Sequence, residues 1–446
     1  MIETSPGVQN ARALYRRMTL RLVPYLFLLY IVAYMDRVNV GFAAMDMQRQ
    51  LHFSNTVYGT GAGMFFLGYA VFDLPSSLML RVVGTRVWIA RIMISWGAIA
   101  ACMVFVSSPR SFYISRFLLG VGEAGFVPGM LLYLTYWYPS HERARAVAKF
   151  MTATSLAGVV GGPVSSAFLR LDGIAGLSGW QWLFLGEGLP TVLLGISVLF
   201  ILDDGPHSAR WLSRHEKQWL TGELERDRAR YGAGEHHSLL DAFRMPSVWI
   251  LATIYIVIQI GVYVVNLWMP LILSNLSRGH GDSSAIARYA TVPYLLAAVI
   301  TVVVGWSSDR YNERRGHLAA CMVLTAVGFA WAASATNVPV ALCAMCLACT
   351  GLYSTMGPFW ALMTRNVEGA AAASGVALIT MIGGVGGFFG PYMTGRLRDA
   401  TRSFAGGLYA IGVLALFAAG VCFLVRTRRG LPPGEQRNAG SFEPGI

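Results

Sequence analysis

The chain has 446 residues, 55% hydrophobic and only 13% charged, with a mean hydropathy of +0.52. A soluble domain carries about 25% charged residues, because it must cover itself with polar groups. The deficit effectively excludes a water-soluble enzyme, a disordered chain and a disulfide scaffold. The net charge of +12 then points to basic loops beside a membrane rather than to nucleic acid.

Apolar stretches of about 20 residues, the length a bilayer demands, recur twelve times, near 20–46, 56–80, 87–107, 111–137, 145–169, 181–202, 247–273, 285–307, 317–335, 338–362, 370–395 and 404–425. Backbone polar groups in lipid must be satisfied internally, so these stretches predict helices. Many of the chain's 49 glycines fall within them, as close helix–helix contact requires. The polar residues before 20 lack the apolar core and cleavage site of a signal peptide. The expected fold is therefore an all-α integral membrane protein with 12 transmembrane helices in two six-helix bundles.

Residues 203–245 form the one long polar segment and split the helices six and six. This predicts an N-terminal bundle over 1–202, a central linker over 203–245, and a C-terminal bundle with a short tail over 246–446. Within the linker, Ser213 and Glu216 fit a capping box, and Trp219, Leu220 and Leu224 follow at helical spacing. With both termini inside, 17 basic residues flank the spans on the inner side, before the linker is counted, against eight on the outer side. That bias predicts cytoplasmic termini. Gly162-Pro163 and Gly390-Pro391 stand 228 positions apart, as do Arg86 and Arg314, which suggests two repeated halves rocking about a central site.

Ionisable residues inside the spans carry the most information. An unpaired charge at mid-bilayer costs about 2.5–3.5 kcal/mol on insertion scales, so it should be paired or line a cavity. The first span holds Asp36 and Arg37, followed by Asn39. The fourth holds Arg116 and Glu123, seven apart on one helix face. Fully ionised, these four charges sum to zero. Protonating one carboxylate would free an arginine to take a substrate carboxylate, a scheme for proton-coupled anion uptake. Arg37 and Arg116 are the expected anion ligands, and Asp36 and Glu123 the expected proton carriers, with Glu123 favoured. The competing reading is an ion-pair lock between the first and fourth helices. The seventh span offers a polar stripe of Tyr255, Gln259, Tyr263 and Asn266, suited either to substrate hydroxyls or to ordinary interhelical hydrogen bonds. Asp73 and Glu187 are expected at helix ends or gates. Cys343, Cys346 and Cys349 read as small packing residues, and no metal or cofactor site is expected.

Gly305-Trp306-Ser307-Ser308-Asp309-Arg310 with Arg314 and Arg315, the looser Arg81-Gly84-Arg86 loop, Arg116-Gly120-Gly122, and Gly158-Gly162-Pro163 together resemble motifs of the major facilitator superfamily. Met35 to Ala43, Phe72 to Leu78, Arg116 to Gly125, Gly179 to Phe184 and Gly386 to Pro391 narrow the resemblance to its anion:cation symporter family. The resemblance spans nearly the whole chain. It implies a proton-coupled importer of a small organic carboxylate, such as tartrate, a sugar acid, or an aromatic acid like phthalate or hydroxyphenylacetate. It assigns binding and coupling to Asp36, Arg37, Arg116 and Glu123. Tyr34 and Tyr69 also fall at positions that look like substrate contacts, and Tyr263 and Asn266 of the seventh-span stripe join them as candidate contacts read from spacing. Thr154 and Thr380 stand where sugar-acid members tend to carry an amide, which tilts the expectation toward a smaller or aromatic carboxylate. Asp309, Arg310, Arg314 and Arg86 are the expected gate residues. The expected partners are a small organic anion, protons and the lipid bilayer, without nucleic acid. A functional monomer in a bacterial inner membrane follows. A proton-driven exporter and a non-transporting sensor are the alternatives.

Overall fold

A computed structural model describes residues 7–151, 153–231, 243–277, 283–367 and 372–425. The described residues are helical, with short turns between. In the N-terminal half lie α1 (Gly7–Leu51), α2 (Asn55–Val83), α3 (Thr85–Cys102), α4 (Pro109–Glu123), α5 (Phe126–Trp137), α6 (Ser140–Met151), α7 (Ala153–Leu169) and α8 (Gly179–Ile201). After α9 (Arg214–Tyr231) come α10 (Pro246–Leu276), α11 (Ser283–Tyr289), α12 (Thr291–Arg310), α13 (Arg315–Ala333), α14 (Val338–Ser354), α15 (Met356–Asn366), α16 (Ala372–Thr401) and α17 (Ala405–Val421). Eleven stretches are long and apolar enough to cross a membrane, and Val159–Leu169 of α7 is a shorter apolar helix at the expected fifth span.

Several expected spans have different bounds or breaks. The eighth is divided at Ala290 into α11 and α12. The first helix begins 13 residues earlier than its apolar run because Leu14, Tyr15 and Met18 are buried, with the Tyr15 ring edge-on to Trp219 of α9. The fourth breaks at Gly125, whose φ of +84° is a left-handed conformation that suits glycine. The tenth is divided at Thr355 into α14 and α15.

Helix α9 is the amphipathic helix expected in the linker. The Ser213 hydroxyl accepts from the Glu216 amide at 3.2 Å and Glu216 Oε2 accepts from the Ser213 amide at 2.9 Å, completing the capping box. It docks on the N-terminal half: Arg17 pairs with Glu216, and Asp227 accepts from the Ser140 amide and hydroxyl at 3.0 and 2.7 Å.

Within the first half, α3 packs on α8, α2 on α4, and α1 on α7 and α8. In the second, α10 packs on α16, α13 on α14 and α17, and α12 on α14. The halves meet where α2 lies on α16, α7 on α11 and α12, and α1 on α10. Two of these crossings are related by the 228-residue repeat. A Cβ on Gly59 of α2 would stand 2.3 Å from the Pro391 carbonyl of α16, and one on Gly162 of α7 would stand 2.6 Å from the Ala287 carbonyl of α11. Gly59 and Ala287 are themselves 228 apart, as are Pro163 and Pro391. The glycine–proline motifs therefore sit at equivalent inter-half crossings. Among the described residues, the hydrogen bonds joining the halves lie at mid-span or toward the face opposite α9: Asp399 to Asn55 and Thr56, Arg288 to Ser166, Tyr58 to the Leu267 carbonyl, Ser274 to Met45, and Asn266 to Tyr34.

Candidate functional site

One turn of α1 carries Asp36 and Arg37, and neighbours on a helix point about 100° apart. Arg37 turns toward α2 and α4. These two helices cross closely because of glycine: a Cβ on Gly120 would lie 2.0 Å from the Phe65 carbonyl, and one on Gly68 would lie 2.2 Å from the Phe117 carbonyl. The close crossing puts one aromatic ring beside two guanidiniums. The Phe65 centroid is 5.4 Å from Arg37 Cζ and 5.2 Å from Arg116 Cζ, and the Tyr69 centroid is 5.3 Å from Arg37 Cζ. Arg37 forms an ion pair with Glu123, which is 1% exposed. The pairing thus runs between α1 and α4, and neither Asp36–Arg37 nor Arg116–Glu123 forms an ion pair among the described residues.

Arg116 is 0% exposed, and none of its three guanidinium nitrogens has a hydrogen-bond partner among the described residues. A buried donor left unsatisfied costs about 1–3 kcal/mol, and more when charged. The Phe65 face and the neighbouring carboxylates offset part of that cost. What remains is a cation ready for an acceptor.

Asp36 turns the other way, toward α3 and α8. These helices also cross on glycines, where a Cβ on Gly97 would sit 2.8 Å from the Gly188 carbonyl. Asp36, 1% exposed, accepts from the Trp96 indole at 2.8 Å and lies 3.1 Å from the Thr191 hydroxyl. The Asn39 amide donates to Asp36 at 3.3 Å and to Glu187 at 3.0 Å. Glu187 is 5% exposed. It therefore lies in the centre of the N-terminal half, not at the helix end or gate where the sequence reading put it. The site has five buried ionisable groups rather than four, and fully ionised they sum to −1.

The break after Glu123 is held from α2. Asp73 accepts from the Gly125 amide at 3.1 Å, the Ser76 hydroxyl donates to the Ala124 carbonyl at 2.6 Å, and the Trp88 indole donates to Ser76 at 2.9 Å. Asp73 is thus a helix-end contact that fixes where α4 stops and where Glu123 stands.

Across the inter-half boundary, Asn266 is fully engaged. Its oxygen accepts from the Tyr294 and Tyr353 hydroxyls at 2.8 and 3.0 Å, and its amide donates to Tyr34 at 3.3 Å. Tyr263 packs on Phe66 with centroids 4.1 Å apart. The expected seventh-helix stripe splits: Tyr263 and Asn266 face the first half, whereas Tyr255 stacks on Phe359 of its own half. Thr380 donates its hydroxyl to the Val376 and Ala377 carbonyls of its own helix at 3.0 and 2.9 Å. The Thr154 side chain lies outside the described residues.

The expected gate residues make local contacts. Arg86 meets Asp204 at 3.3 Å, Arg314 meets Asp309 at 2.6 Å and the Ser308 hydroxyl at 2.9 Å, and Arg310 lies over Trp306 with its Cζ 5.5 Å from the centroid. Sequence reasoning missed Trp96, Thr191, Tyr294 and Tyr353, because a neutral polar residue in an apolar run gives no sign of which partner it meets. Glu187 was legible as a carboxylate inside an apolar span, but its place was not.

The model of the Major Facilitator Superfamily matches residues 26–391. A protein of Agrobacterium vitis named "Putative tartrate transporter" is 42% identical over 430 residues, covering 96% of this chain and 94% of its own. A protein of Acinetobacter baumannii named "Quinolone resistance transporter" is 38% identical over 410 residues, covering 92% and 94%. Among solved structures, an inward-facing bacterial homologue of the human lysosomal transporter Spinster superposes with a TM-score of 0.75 at 19% identity, covering 92% of this chain and 97% of that one. Twelve-span composition, helical architecture and family match agree: the chain belongs to the major facilitator superfamily and is a membrane transporter, not an enzyme.

Proposed function

We propose that the protein takes up a small organic carboxylate together with protons, by alternating access between its two halves. The observation that carries this reading is Arg116, a fully buried guanidinium without a hydrogen-bond partner among the described residues, beside the Arg37–Glu123 ion pair. A substrate carboxylate would bind Arg116. A proton on Glu123 would release Arg37 for a second acceptor oxygen or a second carboxylate. Two guanidiniums separated by one phenylalanine ring suit a short dicarboxylate, and the tartrate-named relative supports that class.

In this scheme Asp36 and Glu123 carry protons. Tyr69 and Tyr263 flank the anion, and Asn266 with Tyr34 closes the side away from α9. Asp309, Arg310, Arg314 and Arg86 belong to the opposite gate, and their local contacts in this conformation fit a gate that is open. The joining of the halves away from α9, with the basic excess on the α9 side, supports an inward-facing state with both termini cytoplasmic. We assign a bacterial inner membrane, a functional monomer, and bundles spanning 1–202 and 246–446 on either side of the linker.

Proteoliposomes loaded with buffer and given external labelled tartrate test the reading. An inward proton gradient should drive accumulation by the wild type. Glu123→Gln should keep tartrate counterflow and lose gradient-driven accumulation. Normal accumulation by Glu123→Gln removes Glu123 from coupling. A second reading, outward antiport, is favoured by the quinolone-resistance relative. It predicts that the same inward gradient drives extrusion of preloaded substrate.

A further inference from the structure

The buried charges of the N-terminal half do not balance. Among the described residues Asp36, Glu123 and Glu187 oppose Arg37 and Arg116 alone, and an uncompensated charge inside a helix bundle is strongly unfavourable. Arg37 is engaged by Glu123. The surplus acid therefore lies on the other side of α1, where Asp36 and Glu187 share the single amide of Asn39.

Donors are distributed unequally there. Asp36 faces the Trp96 indole and the Asn39 amide, and shares the Thr191 hydroxyl with the Glu187 backbone carbonyl, 2.8 Å from that hydroxyl. Glu187 faces the Asn39 amide and the Ser165 hydroxyl of α7. Two buried acceptors in this cluster, Glu187 Oε1 and Asn39 Oδ1, have no donor among the described residues. Buried acceptors left without a donor are what a protonated carboxyl repairs, since its O–H is a donor. The charged groups closest to this cluster from α4 are Arg116 and Glu123, which act on Asp36. No cation forms an ion pair with Glu187 among the described residues.

We propose that Asp36 and Glu187 hold one proton between them through Asn39, a second proton site next to the Arg37–Glu123 pair. In this conformation the proton resides on Glu187, which supplies the missing donor, while Asp36 stays ionised and held by the Trp96 indole and the Asn39 amide. Five groups with one proton sum to zero, so the empty bundle is neutral. A shift of α1 against α3 and α8 would loosen the Trp96 and Thr191 contacts and pass the proton to Asp36. Glu187 is thus a positioning residue for the proton and touches no substrate.

The inference rests on the proton-coupled reading above, but its test needs no substrate. Infrared titration of purified protein in lipid reads the carbonyl stretch of protonated carboxyl groups directly. The wild type should show this band at neutral pH, and Glu187→Gln should lose it while Glu123→Gln keeps it. Glu187→Asp should restore it at a shifted frequency, which a purely structural hydrogen-bond role would not do. A band of unchanged intensity in Glu187→Gln overturns the proposal. If Glu187→Gln gives no folded protein, Glu187→Asp decides alone: an unmoved band overturns the proposal and a moved one supports it. If tartrate uptake ignores the proton gradient while the band is lost in Glu187→Gln, the coupling reading fails and the proton site stands.

Discussion

Arg37 pairs with Glu123 on another helix and turns away from Asp36, its neighbour in sequence. This single relationship divides the buried charges into two groups on opposite sides of α1. One, with Arg37, Arg116 and Glu123, faces the Phe65 ring between α2 and α4. The other, with Asp36 and Glu187, faces α3 and α8. In the proposed scheme, anion binding and one proton belong to the first, and a second proton to the other.

Arg116 is the group with most to gain from an anion. Arg116→Ala should abolish tartrate uptake. Arg116→Lys should retain the charge but lose the planar fork, weakening binding by roughly tenfold or more, since one charge-assisted bidentate contact is worth over about 1.4 kcal/mol. Thermal-shift titration with tartrate checks this. An Arg116→Ala protein stabilised by tartrate as the wild type is would place the anion elsewhere.

The α2–α4 crossing depends on a missing side chain. Gly120→Val must displace the Phe65 backbone, because even a Cβ at Gly120 would stand 2.0 Å from its carbonyl. A destabilisation of about 1–3 kcal/mol or more is expected from such overpacking, with loss of the Arg116–Phe65 contact. Gly420→Ala, where nothing lies within 4 Å of the added Cβ, should be neutral. Melting temperatures of the two variants in one detergent compare them, and equal values would show that the crossing relaxes freely.

Asp399 ties the halves together at the α2 N-terminus, accepting from the Asn55 amide, the Asn55 side chain and the Thr56 amide at 3.2, 2.8 and 2.7 Å. Asp399→Ala removes all three bonds. Hydrogen bonds to a charged acceptor contribute about 1.5–3 kcal/mol each, so the balance of conformations should shift roughly tenfold or more toward opening on this face. Distances between spin labels on α2 and α16 would lengthen. An unaltered distance distribution would mean that the apolar crossing at Gly59 and Pro391 closes this side alone.

Glu216 lies outside the spans and gives a pH dependence with a definite sign. The Ser213 backbone N–H, aided by Arg17, holds its carboxyl below the usual value. A depressed carboxyl stabilises the docked α9 above the ordinary carboxylate range and loses that contribution as pH falls through the lowered value. Hydrogen exchange of α9 amides, corrected for the intrinsic effect of pH, should rise on acidification in the wild type. Glu216→Gln should exchange faster at neutral pH and show a flatter pH profile.

Much of the architecture was legible in the chain because membrane insertion is a one-dimensional constraint. Apolar length, scarce charge and basic loops each act through local composition, so they marked the spans, the linker and the α9 capping box. The four charges of the first and fourth helices stood out for the same reason. The breaks did not: Gly125 is one glycine among 49, and only its contacts with Asp73 and Ser76 show that α4 stops there.

By itself, then, the sequence determined a two-fold repeated helical membrane protein and the buried acids and guanidiniums that make an anion site possible. Tertiary structure alone decided who meets whom. Helical periodicity says which way a side chain points on its own axis, but not which helix lies opposite. That depends on glycine-mediated crossings between segments far apart in the chain. Those crossings set Arg37 against Glu123, left Arg116 without a hydrogen-bond partner among the described residues, and brought Glu187 to Asp36.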